Sequence, residues 1–178
     1  MKQMNNQEFE KNNNWSDTFL PEIKQILGYY LIGKPPIVED MEHNTDLIVL
    51  NMKPVRIACR IRRYEYYSKY SNEITIRSKT SSGCPTELRK IITGWGDYFF
   101  YGFSDESETK LYSWHLISLN HFRFWLFSYI ANNYGKLPGI EKANKDGRTF
   151  LRAFNLLDMP HNIILAKKEN FKELAQIR

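Results

Sequence analysis

The spacing of apolar residues changes along the chain, and each change marks an element. From Ser16, the residues Phe19, Ile23, Ile26, Leu27 and Tyr30 recur at helical spacing, with Ser16 or Asp17 placed to cap the start. Gly33 and the Pro35-Pro36 pair close that segment. Two alternating stretches follow, 46–50 and 55–63, joined by Asn51-Met52-Lys53-Pro54, and they read as a β-hairpin. In the second stretch Val55, Ile57, Cys59 and Ile61 point one way, and Arg56, Ala58, Arg60 and Arg62 the other. A connection rich in tyrosine (Tyr64, Tyr66, Tyr67, Tyr70) leads to a third strand over 73–79. There Ile74 and Ile76 oppose Thr75, Arg77 and Lys79.

The period then returns to that of a helix. Pro85 suits a first turn and Glu87 the positive end of a helix dipole, while Leu88, Ile91 and Ile92 form the stripe. Gly94 and Gly96 end it. "DYFFYGF" is bulky on both faces and predicts a central strand covered on both sides. "LYSWHLISL" predicts a further strand, and "NHFRFWLFSYIANN" a helix packed on the sheet. Asp146-Gly147 marks a turn before an extended segment, and the tail from Lys167 reads as a charged, helical end.

Composition narrows the class. Of 178 residues, 42% are hydrophobic and 15% aromatic, which excludes a disordered chain and supports one core. Residues 1–15, rich in Asn, Gln and Lys, predict a mobile end, leaving 16–178 as a single α/β domain. The net charge of +5 is compatible with a polyanionic partner. Cys59 and Cys84 are too few for a disulfide framework or zinc site, and Cys59 on its apolar face predicts a buried thiol. The four histidines (His43, His115, His121, His161) show no metal-binding spacing. No secretory signal or membrane-length apolar run is visible, so a cytoplasmic protein with no membrane partner is expected.

The element order is helix, strand pair, strand, helix, strand, strand, helix. It places Asp46 in "TDLIVL" a dozen or so residues before "CRIR". Over roughly residues 16 to 125 the chain resembles the PD-(D/E)XK nuclease superfamily, the restriction-endonuclease-like nucleases. That resemblance implies a central mixed β-sheet flanked by helices, built on an αβββαβ core. It also implies carboxylates holding a divalent metal such as Mg²⁺, with a lysine helping water attack a phosphodiester. Asp46 matches the family's aspartate, but Arg60 stands where its metal-binding glutamate would be and Arg62 where its lysine would be. A guanidinium has no lone pair for a metal. Arg62 still offers a fixed cation to a phosphate. The implied metal pair becomes Asp46 with a carboxylate from the following helix, Glu87. Glu22 and Asp97 are the other candidates. The implied catalytic set is Asp46, Glu87 and Arg62. Asp46 has an alternative reading as a salt-bridge partner of Arg60, and Glu87 as a helix-dipole charge or an arginine partner.

A second pattern lies on the same residues. Arg56, Arg60 and Arg62 share a face, with Arg77 and Lys79 placed to continue it on the next strand. Alternate strand residues stand about 6–7 Å apart. Arginine forks grip phosphate whatever the base sequence, and the nearby tyrosines can stack on bases. The plainer reading is a solvated outer face neutralised by Asp46, Glu65 and Glu73. Ser81-Ser82-Gly83 before a helix offers backbone N–H groups to a phosphate, or is only a loop. "GWGDYFFYG" reads as a tight turn with core aromatics, or as a turn that sets Trp95 beside the basic face.

Two classes of function follow. One is a DNA- or RNA-binding protein on a nuclease-like fold, with Mg²⁺-dependent endonuclease activity if Asp46 acts with a relocated carboxylate. The other is a catalytically dead version that binds a protein partner or a small phosphorylated ligand. Compact domains of this kind are common on phages and other mobile elements, by analogy alone. The discriminator is Arg60. Pairing with Asp46 closes the metal site, whereas a free Asp46 near Glu87 or Glu22 keeps it.

Overall fold

The computed structural model describes residue 11 and residues 14–33, 48–49, 55–144 and 147–169. Asp46, Pro35 and Pro36 lie outside them, as does most of the N-terminal end. In chain order come helix α1 (Leu20–Leu31), β1 (Ile32–Gly33), β2 (Ile48–Val49), β3 (Ile57–Arg62), a 3₁₀ turn (Tyr64–Tyr66) and α2 (Tyr67–Tyr70). Next are β4 (Glu73–Thr80), α3 (Glu87–Ile92), β5 (Tyr98–Ser104), β6 (Leu111–Ser118) and α4 (Leu119–Asn132). β7 (Ile140–Ala143), β8 (Thr149–Asn155) and β9 (Ile164–Lys168) complete the order. No described helix is long and apolar enough to cross a membrane.

The architecture is α/β, with a mixed sheet flanked by helices. Its strands run in the order β3-β5-β6-β9, with β3 parallel to β5 and the other pairs antiparallel. A separate antiparallel sheet has the order β4-β8-β7. β1 and β2 form a two-stranded ladder.

This corrects the expected hairpin. The described part of its first strand, β2, pairs with β1, while β3 pairs in parallel with β5. β4 lies beside β8 and not beside β3. Alternation told which residues share a face but not which strand lies alongside, because many pairings satisfy one pattern of period two. At the start of the expected helical tail Lys167 and Lys168 instead end strand β9, and residues 170–178 lie outside the described residues.

β5 is the central strand that its bulky faces predict. Phe99, Tyr101 and Phe103 face one core, together with Ile74 and Ile76 of β4, Phe154 of β8, Leu88 and Ile91 of α3, and Phe122 and Leu126 of α4. Phe100 faces the other core with Ile61, Trp114 and Leu116, closed by Phe19 and Ile23. Trp15 belongs to that second core, with its ring 5.2 Å from Phe19, edge to face. Cys59 is exposed, contrary to the buried thiol expected from its side of the strand. β3 is an edge strand, and an edge leaves alternate positions uncovered.

The local signals explain the helices. Thr86 caps α3 through a hydrogen bond from the Arg89 N–H, and Ser118 caps α4 through one from the His121 N–H. The Glu22 carboxylate accepts the Leu111 N–H at 2.9 Å and so anchors α1 to the start of β6.

Candidate functional site

The arginines of β3 do not form an outer face. Arg60 lies in register with Tyr101 and Arg62 with Phe103, both inward residues of β5. Their side chains therefore enter the space between the two sheets. They are long enough to keep their charged ends at its mouth.

Arg60 meets β4 there. β4 is the edge of its own sheet, so its outward N–H and C=O groups need partners. Arg60 Nη1 donates to the Thr75 carbonyl at 2.9 Å, and Arg60 Nη2 to Glu87 Oε2 at 2.7 Å. The same carboxylate oxygen accepts the Arg77 N–H at 3.1 Å. Arg60 and Glu87 thus act as a side-chain strand along β4. They clip the edge of one sheet to the edge of the other. A buried contact between Thr75 Oγ1 and the Tyr101 hydroxyl, 3.1 Å, reinforces the seam.

Beside the clip opens a cleft of about 660 Å³. Its charged lining is Arg60, Arg62, Arg77 and Arg148. Thr75, Thr80, Ser81, Ser82 and Thr149 line it with hydroxyl-bearing side chains, and no described carboxylate does. A neighbouring cavity of about 560 Å³ shares Arg60, Arg62 and Arg77 and adds Trp15, Arg63 and Tyr66, with Glu65 and Glu87.

Arg62 is held by aromatic faces. Its guanidinium carbon lies 4.5 Å from the Tyr66 ring centroid and 4.9 Å from that of Tyr70. Such contacts orient a cation without using its N–H donors. Arg62 Nη1 is buried and has no hydrogen-bond partner among the described residues, and the same holds for Trp15 Nε1 in the adjoining cavity. Unmatched buried donors are costly, and a charged one more so. Both call for an acceptor.

The remaining sequence candidates are placed as follows. Arg77 reaches the cleft from the facing sheet and its side chain is exposed. Lys79 turns to Glu141 at 2.7 Å, and this bond holds the Glu141 carboxyl below its usual range. Arg56 immediately precedes β3, 5.3 Å over the Trp95 ring. Asp97 accepts the Arg56 N–H at 2.7 Å, tying the strand starts together. Arg148, Asn144 and Thr149, around the β7–β8 turn, were not legible as site residues. Nothing in their local sequence says that this turn reaches β3.

Of the implied metal pair, Asp46 lies outside the described residues. Glu87 is engaged by Arg60 and Arg77, Glu22 by Leu111 and Asp97 by Arg56. Among the described residues no group of three His, Cys, Asp or Glu side chains can hold an ion.

His115 lies two strands from Arg60, on the same row of the sheet: Arg60, Tyr101, His115, Lys167. Burial pushes its pKa down despite Glu169, whose Oε1 lies 3.3 Å from Nε2, and Lys167 opposes protonation further. Glu169, though partly buried, is held below its usual range by Lys167 and His115. The imidazole is therefore neutral at pH 7, while the unfolded chain takes up its proton near 6.5. The unfolded state then binds more protons, so stability should fall as pH drops below about 6.5. Urea midpoints at pH 7.5 and 5.5 check this, and His115→Gln should flatten that part of the difference. An unchanged slope in the variant would assign the pH dependence elsewhere.

No protein-family model, curated protein or solved structure matches this chain. The class that fold and site define is an α/β protein with an arginine-lined cleft between two sheets.

Proposed function

We propose that the protein binds nucleic acid through its phosphate backbone, seated in the cleft between β3 and β4. The observation that carries this reading is Arg62: a guanidinium fixed by two tyrosine rings, with a buried N–H that has no acceptor among the described residues. Arg77 stands opposite it with no acidic partner for its side chain among the described residues. A polymer suits the site better than a small ligand, because the basic row leaves the cleft along β3 and continues to Arg56. Phosphate binding here needs neither a metal nor nuclease ancestry. Cleavage through Asp46 and Glu87 forms no part of the proposal.

Fluorescence anisotropy with labelled DNA and RNA across a salt series tests it. Affinity should fall steeply with salt, since each neutralised phosphate releases counterions. Arg77→Gln should weaken binding roughly tenfold, equally for unrelated sequences, and reduce the log–log salt slope by about 1. Its side chain supports no other described contact, so folding should be unaffected. Absence of any salt-dependent binding would reject the reading. It would favour a protein partner at α4, where Phe124 and Phe127 are exposed.

A further inference from the structure

Trp95 is 60% exposed, an unusual position for the largest apolar side chain. It is not a loose loop residue. Gly94 and Gly96 on either side adopt φ of +95° and +81°, a backbone that other residues rarely take. A Cβ at Gly96 would also meet Leu119 Cδ1 at 2.9 Å. The Trp95 N–H donates to the Lys90 carbonyl at 3.0 Å, which fixes the turn to the end of α3. The fold therefore spends two glycines on presenting one indole to solvent.

The indole's surroundings are cationic. Arg56 lies 5.3 Å over the ring, with its backbone pinned by Asp97. Arg89 and Lys90 line the shallow cavity of about 460 Å³ beside Trp95, together with Pro85 and Thr93. Arg56 immediately precedes β3, four residues and about 13 Å of extended chain from Arg60. α3 makes the same connection from the other side. Its first residue, Glu87, holds Arg60, and its last turn carries the residues around Trp95.

Resting on the phosphate-binding reading of the cleft, we infer that the bound polymer is single-stranded and that one of its bases stacks on Trp95. Phosphates held by Arg62 and Arg77 continue past Arg56, Arg89 and Lys90 to a base lying on the indole. A fixed aromatic face beside cations tolerates any base, because every base has a π-face. A duplex cannot use this platform without unpairing, since its bases are already stacked and paired.

The test compares a labelled oligomer of about twelve thymidines, within the usual range of site sizes, with an abasic oligomer of equal length and with the thymidine–adenosine duplex. Wild type should prefer the single strand to the duplex. Trp95→Ala should weaken thymidine binding roughly five- to hundred-fold and leave abasic binding within about twofold, while Trp95→Phe keeps most of the affinity. Thermal unfolding of each variant verifies the fold. Duplex binding as tight as single-strand binding would overturn the inference. So would equal losses on thymidine and abasic oligomers in Trp95→Ala, or no loss at all. If Arg77→Gln weakens binding while Trp95→Ala does not, this inference fails and the phosphate cleft stands. If wild type binds none of the probes, both fail.

Discussion

Phe154→Ala is expected to lower stability by about 3–5 kcal/mol, the range for removing a buried phenylalanine. Phe154 is fully buried on β8, 5.3 Å from the Phe122 ring edge to face and 6.3 Å from Trp125, both on α4. It joins the β4-β8-β7 sheet to the helix that also covers β5 and β6. A cavity there opens in the core that both sheets and α4 share. In a chain of this size each kcal/mol moves Tm by roughly 2–4 °C, so a drop of about 6–20 °C should appear in a thermal scan. Phe154→Leu refills most of the volume and should lose about half as much. A loss below about 1 kcal/mol for Phe154→Ala would mean that the two sheets do not share one core.

Glu87→Ala is expected to cost less, about 1–2 kcal/mol. The Arg60 and Glu87 side chains keep 21% and 26% exposure, between a surface pair and a buried one. The loss exceeds that of a surface pair because two partners are stranded, Arg60 Nη2 and the Arg77 N–H. Glu87→Gln keeps an oxygen acceptor and should recover part of it. The metal-ligand role implied by the nuclease resemblance predicts otherwise. A ligand carboxylate would make stability respond to Mg²⁺, and the alanine variant would lose that response. Urea unfolding of both proteins in EDTA and in Mg²⁺ separates the two. The clip predicts the same loss in either buffer, and a Mg²⁺ gain confined to wild type would reinstate the metal.

Both predictions concern the seam between the sheets, where reading the sequence was weakest. α3, α4, β4, β5 and β6 were legible because their signals are local: a helical stripe after Pro85, a cap at Ser118, a strand bulky on both faces at "DYFFYGF". β7 and β9 were not. Both are short and carry charged residues, so neither shows the apolar alternation that marks a half-buried strand. The site divides in the same way. Arg56, Arg60, Arg62, Arg77 and Lys79 stood out as a basic set, and the Trp95 turn read either as one with core aromatics or as one beside that basic face. Arg148 and the β7–β8 turn carried no signal.

What the sequence determined alone was therefore most of the elements, the inward and outward residues of many of them, and the excess of arginine on one face of β3. Periodicity and capping act over a few residues and need no knowledge of the rest of the chain. Tertiary structure decided which strands are neighbours, that the arginine face of β3 looks across a seam and not into bulk solvent, and that Glu87 closes on Arg60. The seam depends on contacts between residues well separated in the chain, 15 apart for Arg60 and Thr75 and 27 for Arg60 and Glu87. Period-two alternation leaves them open, because a strand's faces are the same whichever neighbour it takes.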